Sequence, residues 1–254
     1  MGIFKDNQDA FGHLLFDFFE KGCTDSRLPG VLERYDGFIT DAGSTAAYFS
    51  EYKDWPLIER KALRMARGRV LDVGCGAGRH CLYLQEKGLE VTGIDNSPLS
   101  IEVCKQRGVK NAIVLAFNNI SPDLGLFDTV LMFGHNFGLF GSFKNTRRIL
   151  KKLDRLTSRK ARILVTTNDI YQTDDPDNLR YHEYNRNHGR MSGQIKMKVR
   201  YKKYITPWFD YLLVSREEME NILDGTGWKI RRYIDAGDSH YAAIIEKRKG
   251  RRKK

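Results

Sequence analysis

Three glycines stand at alternate positions, Gly74, Gly76 and Gly78, directly after the apolar run VLDV at residues 70–73. The run is typical of a buried parallel strand. Glycine has no Cβ, so it lets the chain turn with positive φ and lets a ligand lie against the backbone. A second apolar run ends at Asp95, about 20 residues past the turn, where nucleotide-binding folds place a carboxylate that accepts the ribose hydroxyls. These residues predict a nucleoside site.

The glycine spacing separates two nucleoside-binding motifs. A dinucleotide fingerprint reads G-x-G-x-x-G, whereas here the third glycine falls one position earlier, in a D-x-G-x-G-x-G pattern that starts at Asp72. This pattern resembles motif I of the class I, Rossmann-like S-adenosylmethionine-dependent methyltransferases. The resemblance covers residues 69–246 and is most specific over 69–97.

The resemblance implies that S-adenosyl-L-methionine is the cofactor and that S-adenosyl-L-homocysteine is the product. The glycine turn would hold the amino-acid end and Asp95 the ribose. Adenine would be held by backbone and ring contacts after the third strand, because no acid stands there. The predicted cofactor-binding residues are Asp72, Gly74, Cys75, Gly76, Asp95, Asn96, Ala116, Phe117 and Phe133.

Methyl transfer to an oxygen or nitrogen needs a general base only if the acceptor is an alcohol, a phenol or a protonated amine. His135 is the candidate, because it follows the fourth strand at the ligand-binding edge and histidine titrates near neutral pH. The alternative is that His135 only hydrogen-bonds the loop backbone. The residues expected to border the acceptor pocket are Tyr48, Asn136, Asn168, Asp169 and Tyr171.

The alternation of apolar runs with helical patterns predicts an α/β fold. With the resemblance, this gives a doubly wound, mostly parallel seven-stranded methyltransferase sheet. Its strands are expected at 70–73, 89–94, 111–115, 127–133 and 162–167, with a terminal antiparallel hairpin at 228–234 and 240–245. Helix caps are expected at Ser97 (with Pro98 following), at Ser142, and at Ser215 in a capping box with Glu218.

We expect the cofactor-binding domain to occupy residues 67–246, with a β-hairpin and loop insertion at 168–214. The preceding residues, 1–66, are expected to form an N-terminal helical lid, as the family resemblance suggests. The lid carries an aromatic group that could close over the ligands or simply pack the leading helices onto the sheet: Tyr35, Tyr48, Phe49, Tyr52 and Trp55.

The insertion contains two recognisable patterns. Strict alternation of apolar and basic residues from 195 to 202 predicts a half-buried strand, with residues 208–214 as its hairpin partner. Before it, His182 and His188 could clamp an anionic acceptor or lie on a solvated helix.

The net charge of +11 is largely terminal, because residues 247–254 contain seven of the 43 Lys and Arg residues. We expect this basic tail to be disordered. With Lys196, Lys198, Arg200 and Lys202, it supports an alternative function as an RNA methyltransferase, since such cations could follow phosphates. The same four residues could equally be the polar face of a strand. A non-catalytic S-adenosylmethionine-binding protein is a further alternative.

The four cysteines, Cys23, Cys75, Cys81 and Cys104, show neither zinc spacing nor a C-x-x-C pair, so no metal site is expected. They are interpreted as small apolar fillers in a reducing cytoplasm. No apolar run approaches the roughly 20 residues that span a bilayer, and the first residues do not resemble a secretory signal. We therefore expect a cytoplasmic methyltransferase that acts on a small-molecule acceptor and has no membrane partner.

Overall fold

The computed structural model describes residues 2–22 and 30–248. Its α-helices are α1 (Ala10–Glu20), α2 (Leu57–Leu63), α3 (Arg79–Glu86), α4 (Pro98–Gln106), α5 (Phe143–Arg155), α6 (Pro176–Asn187) and α7 (Arg216–Leu223). Its strands are β1 (Val31–Arg34), β2 (Ile39–Asp41), β3 (Val70–Val73), β4 (Val91–Asp95), β5 (Ala112–Val114), β6 (Phe127–Met132), β7 (Thr157–Asn168), β8 (Gln194–Tyr201), β9 (Tyr204–Ile205), β10 (Phe209–Leu212), β11 (Trp228–Asp235) and β12 (His240–Lys247). The expected basic tail lies outside the described residues, apart from its first two.

The larger of two sheets has seven strands in the order β11-β12-β7-β6-β3-β4-β5. The pairs β3–β4, β4–β5 and β6–β7 are parallel. In contrast, β12 is antiparallel to both β7 and β11. The predicted mostly parallel seven-stranded sheet with a terminal antiparallel hairpin is confirmed.

The smaller sheet contains three strands that the sequence did not indicate, β1, β2 and β9. Its order is β10-β8-β1-β2, with β9 paired to β8, so β1 and β2 interrupt the segment that was expected to form a helical lid. Glu33 of β1 binds Lys198 and Arg200 of β8, at 2.9 and 2.5 Å. These partners lie as far as 167 residues away in the chain. Local patterns therefore could not show that β1 forms a strand.

The predicted helix caps are present. The hydroxyls of Ser97 and Ser142 each accept a hydrogen bond from the backbone N–H three residues later, at 2.9 and 3.4 Å. Pro98 occupies the first turn of α4. Ser215 and Glu218 form the capping box of α7.

The fifth strand of the prediction, β7, starts five residues earlier than expected. Its register with β6 extends back to the pair Phe127–Thr157, with an irregularity before Thr129. Among the added residues Thr157 and Ala161 are buried, but Arg159 and Lys160 between them are exposed, so these five residues have no apolar run that would predict a strand. The strand ends at Asn168, at the carboxyl edge of the sheet.

The chain forms two compact units. The first comprises Met1–Pro56, Arg69–Ser121 and Ile195–Tyr211, and the second comprises Leu57–Gly68, Pro122–Gln194 and Leu212–Lys254. The domain boundaries expected from the sequence, after residues 66 and 246, stay a prediction.

Each unit has its own apolar interior. In the first, Leu15 of α1 packs with Ala77 and Val103, and aromatic side chains of the N-terminal residues surround them. In the second, β7 is continuously buried from Ile163 to Thr167 and β12 from Tyr241 to Ile245. The Trp228 indole N–H donates to the Leu150 carbonyl at 2.9 Å. Across residues 2–22 and 30–248, every helix is too short or too polar to cross a membrane.

Candidate active site

The glycine turn after β3 has the conformation that its composition predicts. Gly74, Gly76 and Gly78 have φ values of 73°, 54° and 78°, in the left-handed region that disfavours residues with a Cβ. The backbone N–H groups of Gly74 and Cys75 both donate to the Ile94 carbonyl, at 2.8 and 3.1 Å. The turn is therefore fixed directly to the end of β4.

Two of these glycines also serve close packing. A Cβ on Gly78 would lie 2.7 Å from Val109 Cγ2 and 2.9 Å from Cys104 Sγ, so this glycine lets α3 start against its neighbours. A Cβ on Gly76 would lie 3.3 Å from the Tyr48 ring. Tyr48 is partly buried there, edge-on to Phe11. The bare backbone of Gly76 thus forms a cradle beside an aromatic ring.

Asp95 closes the other side of this cradle. Its carboxylate accepts hydrogen bonds from the backbone N–H of Gly76 and that of Ser97, both at 3.0 Å. Burial raises the pKa of Asp95 to about 6, the two N–H groups oppose that shift, and the charges of Asp9 and Asp72 add to it. A carboxylate placed in this way can accept further hydrogen bonds from ligand hydroxyls, which would restore the solvation that it has lost.

Asp9 is a site residue that the sequence interpretation missed. It is 1% exposed and accepts from the backbone N–H of Gly12 at the start of α1. It also accepts from the Ser97 hydroxyl at 2.8 Å and from the Leu99 N–H at 3.2 Å, at the start of α4. One carboxylate therefore joins the N-termini of two helices beside Asp95. The only local signal was an acid directly before an apolar helical run.

Asn96 is held by the first residues of the chain. Its side-chain amide donates to the Gly2 carbonyl at 2.9 Å, and its own carbonyl accepts from the Phe4 N–H at 3.0 Å. The N-terminal segment thus lies against the residue that follows the ribose-binding candidate. An N-terminal lid over the ligands stays a prediction.

The remaining cofactor candidates of the first unit are buried. Asp72 accepts from the Cys81 thiol at 3.4 Å, and the His80 Nδ1 lies 4.0 Å from its carboxylate. Ala116 and Phe117 are 1% and 7% exposed and begin a short 3-10 turn after β5. They line the exit of β5, where contacts to adenine were expected.

Three buried cysteines surround the glycine turn. Cys75, Cys81 and Cys104 are free thiols, and the Sγ atoms of Cys75 and Cys104 lie 3.8 Å apart. The Cys75 side chain therefore points into the interior, and only its backbone remains available to a ligand. Cys23 lies outside the described residues.

The second unit brings together two histidines. His135 follows β6 with φ 65°, an uncommon conformation for a residue other than glycine, and its ring centroid lies 5.5 Å from that of His240. Burial lowers the pKa of His135 to about 4, the neighbouring His240 adds to this, and Glu59 opposes it. His135 is therefore neutral near pH 7. It can exchange hydrogen bonds with an acceptor but holds a transferred proton weakly.

His240, a second residue that the sequence interpretation missed, lies opposite Asn168 in the β12–β7 register. Directly paired residues project from the same face of a sheet. The Asn168 Oδ1 atom is buried and has no hydrogen-bond partner among the described residues. His240 Nδ1 lies 3.0 Å from Asp238 Oδ1. The sequence D-S-H at 238–240 was the only local signal of this pair.

The other acceptor candidates differ in their surroundings. The Asn136 N–H donates to the carbonyl of Phe133, a core residue that is 2% exposed. The Asp169 N–H donates to the Ser239 carbonyl. Tyr171 is 51% exposed, and its hydroxyl donates to Glu218 at the start of α7. Asn168 and Asp169 therefore lie near His240, whereas the Tyr171 hydroxyl is held by a helix cap.

The aromatic residues before the glycine turn do not form one group. Phe49 stacks on Phe19 of α1 and lies tilted against Phe18, and Tyr52 stacks on Tyr83 of α3 at 4.4 Å. Tyr35 instead lies in the turn between β1 and β2, edge-on to Trp208. Most of them thus pack the leading segment onto its own unit.

The insertion is partly helical. His182 lies in the middle of α6 and is 8% exposed, so a solvated helix is wrong for that face. His188 directly follows the helix and is exposed. The predicted half-buried strand is β8. No cluster of three or more His, Cys, Asp or Glu side chains that could hold a metal occurs in the described part of the chain.

The arrangement in the first unit fits the predicted nucleoside. Gly76 is buried with its backbone against the Tyr48 ring, and Asp95 supplies a partly buried carboxylate with unused acceptor capacity. A carboxylate accepts hydrogen bonds from sugar hydroxyls and repels a phosphate, so Asp95 favours a sugar at this position.

Comparison with known proteins supports this interpretation. A family model described as a methyltransferase domain matches residues 70–160. An S-adenosylmethionine-dependent methyltransferase from Bacteroides fragilis, solved with S-adenosyl-L-homocysteine, is 30% identical, with a TM-score of 0.80. The match covers 96% of this chain and 97% of that chain.

Curated relatives match over shorter segments. The Bacillus subtilis protein YqeM, which bears a methyltransferase name, is 29% identical over 130 residues, covering 46% of this chain and 51% of the relative. The ubiquinone biosynthesis O-methyltransferase of Methylocella silvestris is 35% identical over 79 residues, covering 29% and 31%. The chain spans about half or less of these relatives.

Proposed function

The chain belongs to the class I S-adenosylmethionine-dependent methyltransferases, and from that premise we propose that it transfers a methyl group to an oxygen or nitrogen of a small molecule. Its cofactor is S-adenosyl-L-methionine, which when bound supplies an electrophilic methyl group on a sulfonium. The protein's task is then to bind, orient and desolvate the acceptor, which together can supply roughly 7–11 kcal/mol.

We assign the cofactor to the first unit. The turn at Gly74–Gly76 would bind the amino-acid end against bare backbone, and Asp95 would accept the ribose hydroxyls. Asn96, Ala116 and Phe117 would border adenine. The hydrogen bonds that fix Asp95 to Gly76 and Ser97 keep its carboxylate oriented before the cofactor arrives. Such pre-organisation reduces the entropy that binding must overcome.

The observation that carries the choice of a small molecule is the pairing of the basic stripe on β8. Lys198 and Arg200 both bind Glu33, and they hold the pKa of that carboxyl below its usual range. Lys202 binds Asp17, and Lys196 lies 4.9 Å from the Tyr35 ring centroid. RNA would have to displace these internal partners, which favours the polar-face interpretation over phosphate binding.

The acceptor would bind in the second unit, against polar groups that follow β6 and β7. Asn168 offers a buried amide oxygen, and His135 a neutral imidazole, so a hydroxyl or amino group would find hydrogen-bonding partners there. The name of the Methylocella silvestris relative refers to O-methylation. A hydroxyl acceptor is accordingly the first class to test.

A labelling experiment tests this proposal. The full chain is incubated with methyl-labelled S-adenosyl-L-methionine and, separately, a protein-free extract of small molecules or total RNA, at low and high salt. We expect label in the small-molecule fraction at both salt concentrations. The variant Lys198→Ala/Arg200→Ala should retain this activity. Label in RNA that is lost in the variant and at high salt would contradict the proposal and support the RNA alternative.

We also propose a reducing, cytoplasmic compartment. Two thiols whose sulfur atoms lie 3.8 Å apart, those of Cys75 and Cys104, are free in this fold, as is typical of cytoplasmic proteins. Cell fractionation followed by thiol labelling under denaturing conditions tests this. Recovery of these cysteines in a disulfide would contradict it.

A further inference from the structure

The strongest unassigned feature of the second unit is the side chain of His240. It opens β12 at the carboxyl edge of β7, and 45% of its side chain is accessible. Its ring lies 5.5 Å from that of His135, centroid to centroid, and it pairs in register with Asn168. Three polar side chains from three segments therefore meet at one edge, and the Asn168 amide oxygen has no partner in the described part of the chain.

Asp238 fixes the orientation of His240. The Asp238 Oδ1 atom accepts from the His240 backbone N–H at 2.8 Å and lies 3.0 Å from Nδ1 of the ring. These hydrogen bonds hold the pKa of the Asp238 carboxyl below its usual range, so it is an ionised acceptor. Nδ1 must then carry the proton, and Nε2 is left with the free electron pair.

The two histidines are therefore suited to different tasks. The surroundings of His135 favour the neutral ring near pH 7. His135 is therefore a poor acceptor for a proton. His240 is more accessible, and its Nδ1 atom has the Asp238 carboxylate as a partner, which leaves Nε2 available to accept a proton. This is the arrangement by which an acid orients a histidine that accepts a proton.

We propose that His240, oriented by Asp238, is the base that accepts the proton of the methyl acceptor. The Asn168 amide oxygen accepts a second hydrogen bond from the same methyl acceptor. The inference rests on the proposed function. The acceptor's O–H or N–H bond breaks, the proton forms a bond to Nε2, and the imidazole becomes an imidazolium beside Asp238. The electron pair left on the acceptor atom would bond the methyl carbon, whose bond to sulfur would break with its electron pair staying on the sulfur of the departing S-adenosyl-L-homocysteine. The proton then leaves through the accessible face of the ring.

Titratable groups come to this edge from several elements. Asp238 belongs to the same loop as His240, and the His135 ring faces it from the end of β6. The backbone of Asp169 after β7 donates to the Ser239 carbonyl, and Asp235, which binds Arg216, pairs in register with Tyr241. Glu59 of α2 acts on His135. The pH dependence of transfer must therefore be compared between variants rather than read from one profile.

The first test needs no acceptor. Long-range ¹H–¹⁵N spectra of the full chain with labelled histidine, bound to S-adenosyl-L-homocysteine, report which ring nitrogen carries the proton. We expect His240 in the Nδ1–H form, and a mixture of both forms in Asp238→Asn. A wild-type ring protonated on Nε2 would overturn the proposal, because no electron pair would face the acceptor.

The second test measures single-turnover transfer of label to the small-molecule extract. We expect His240→Gln to lose about 10²–10⁴-fold in rate, the usual contribution of a general base, and to bind S-adenosyl-L-homocysteine as wild type does. Glu183→Gln, at an exposed residue of α6, should keep the full rate. Full rate in His240→Gln would overturn the proposal. Absence of transfer in wild type would instead overturn the proposed function, and with it this assignment.

Discussion

Asp9 and Asp95 bind the same residue from two sides: the Ser97 hydroxyl donates to Asp9 at 2.8 Å, and the Ser97 N–H donates to Asp95 at 3.0 Å. The start of the N-terminal helix is thereby tied to the carboxylate assigned to the ribose. The charge of Asp9 also contributes to the raised pKa of Asp95. Substitutions at the start of α1 should therefore change the affinity for the cofactor.

Removing the charge of Asp9 should alter how cofactor binding depends on pH. Asp9→Asn keeps part of the hydrogen-bonding pattern but removes a negative charge near Asp95, so the pKa of Asp95 should fall. Calorimetric titration with S-adenosyl-L-homocysteine should show the loss of affinity at low pH moving to a more acidic midpoint. Asp6→Asn, at an exposed residue of the same segment, is the control. An unchanged midpoint in Asp9→Asn would show that the two carboxylates are not coupled.

Replacing Asp95 should separate stability from binding. The pKa of Asp95 is about 6 in the folded protein against an ordinary value of 3.8. Protonated Asp95 therefore favours the folded state below pH 3.8, and this contribution to the free energy of unfolding is lost as the pH rises through 6. At pH 8 the buried charge destabilises the free protein, and Asp95→Asn should raise the free energy of unfolding by about 1–3 kcal/mol. The same variant should bind S-adenosyl-L-homocysteine about 10–150-fold more weakly, or 1.5–3 kcal/mol. Urea denaturation and calorimetry measure the two effects, and a variant less stable at pH 8 would contradict the first.

Two glycines with the same backbone strain allow a matched comparison. Gly76→Ala and Gly88→Ala each place a Cβ on a residue with positive φ, which costs about 1–2 kcal/mol of stability. Only at Gly76 does the added atom meet Tyr48, at 3.3 Å, whereas Gly88 faces open space. We expect similar losses of melting temperature in both variants but loss of S-adenosyl-L-homocysteine affinity in Gly76→Ala alone. Equal affinities would mean that the cradle does not touch the ligand.

The buried environment of His135 predicts sensitivity to acid. Its pKa is about 4 in the folded protein against 6.5 ordinarily, so its contribution to stability is full above pH 6.5 and is lost as the pH falls towards 4. The slope is at most about 1.4 kcal/mol for each pH unit. His135→Gln should remove this slope in urea denaturation between these limits. His188→Gln should keep it. Identical slopes in wild type and His135→Gln would contradict the placement of this ring.

The conformation of the glycine turn and the position of Asp95 were predictable because their requirements are local. A left-handed turn needs glycine at Gly74, Gly76 and Gly78, and the strand that follows the helix places Asp95 by chain order alone. The direction of the Cys75 side chain was not predictable, because it depends on packing against Cys104 from another helix.

The unpredicted residues come from pairings across long stretches of chain. Asp9 meets Ser97 across 88 residues, and His240 reaches the edge of the sheet only through the antiparallel register of β12 with β7. Such contacts are set by the sheet as a whole. A single histidine that follows a loop belongs to no periodic pattern, so the local sequence does not predict such contacts.

The central claim is that Asp95 holds the ribose of S-adenosyl-L-methionine while the glycine turn holds its amino-acid end. A crystal structure of the full chain with S-adenosyl-L-homocysteine tests it most directly. We expect both ribose hydroxyls within hydrogen-bond distance of the Asp95 carboxylate and the homocysteine against Gly74 and Gly76. A ligand whose sugar lies away from Asp95, or a turn covered by protein side chains, would contradict it.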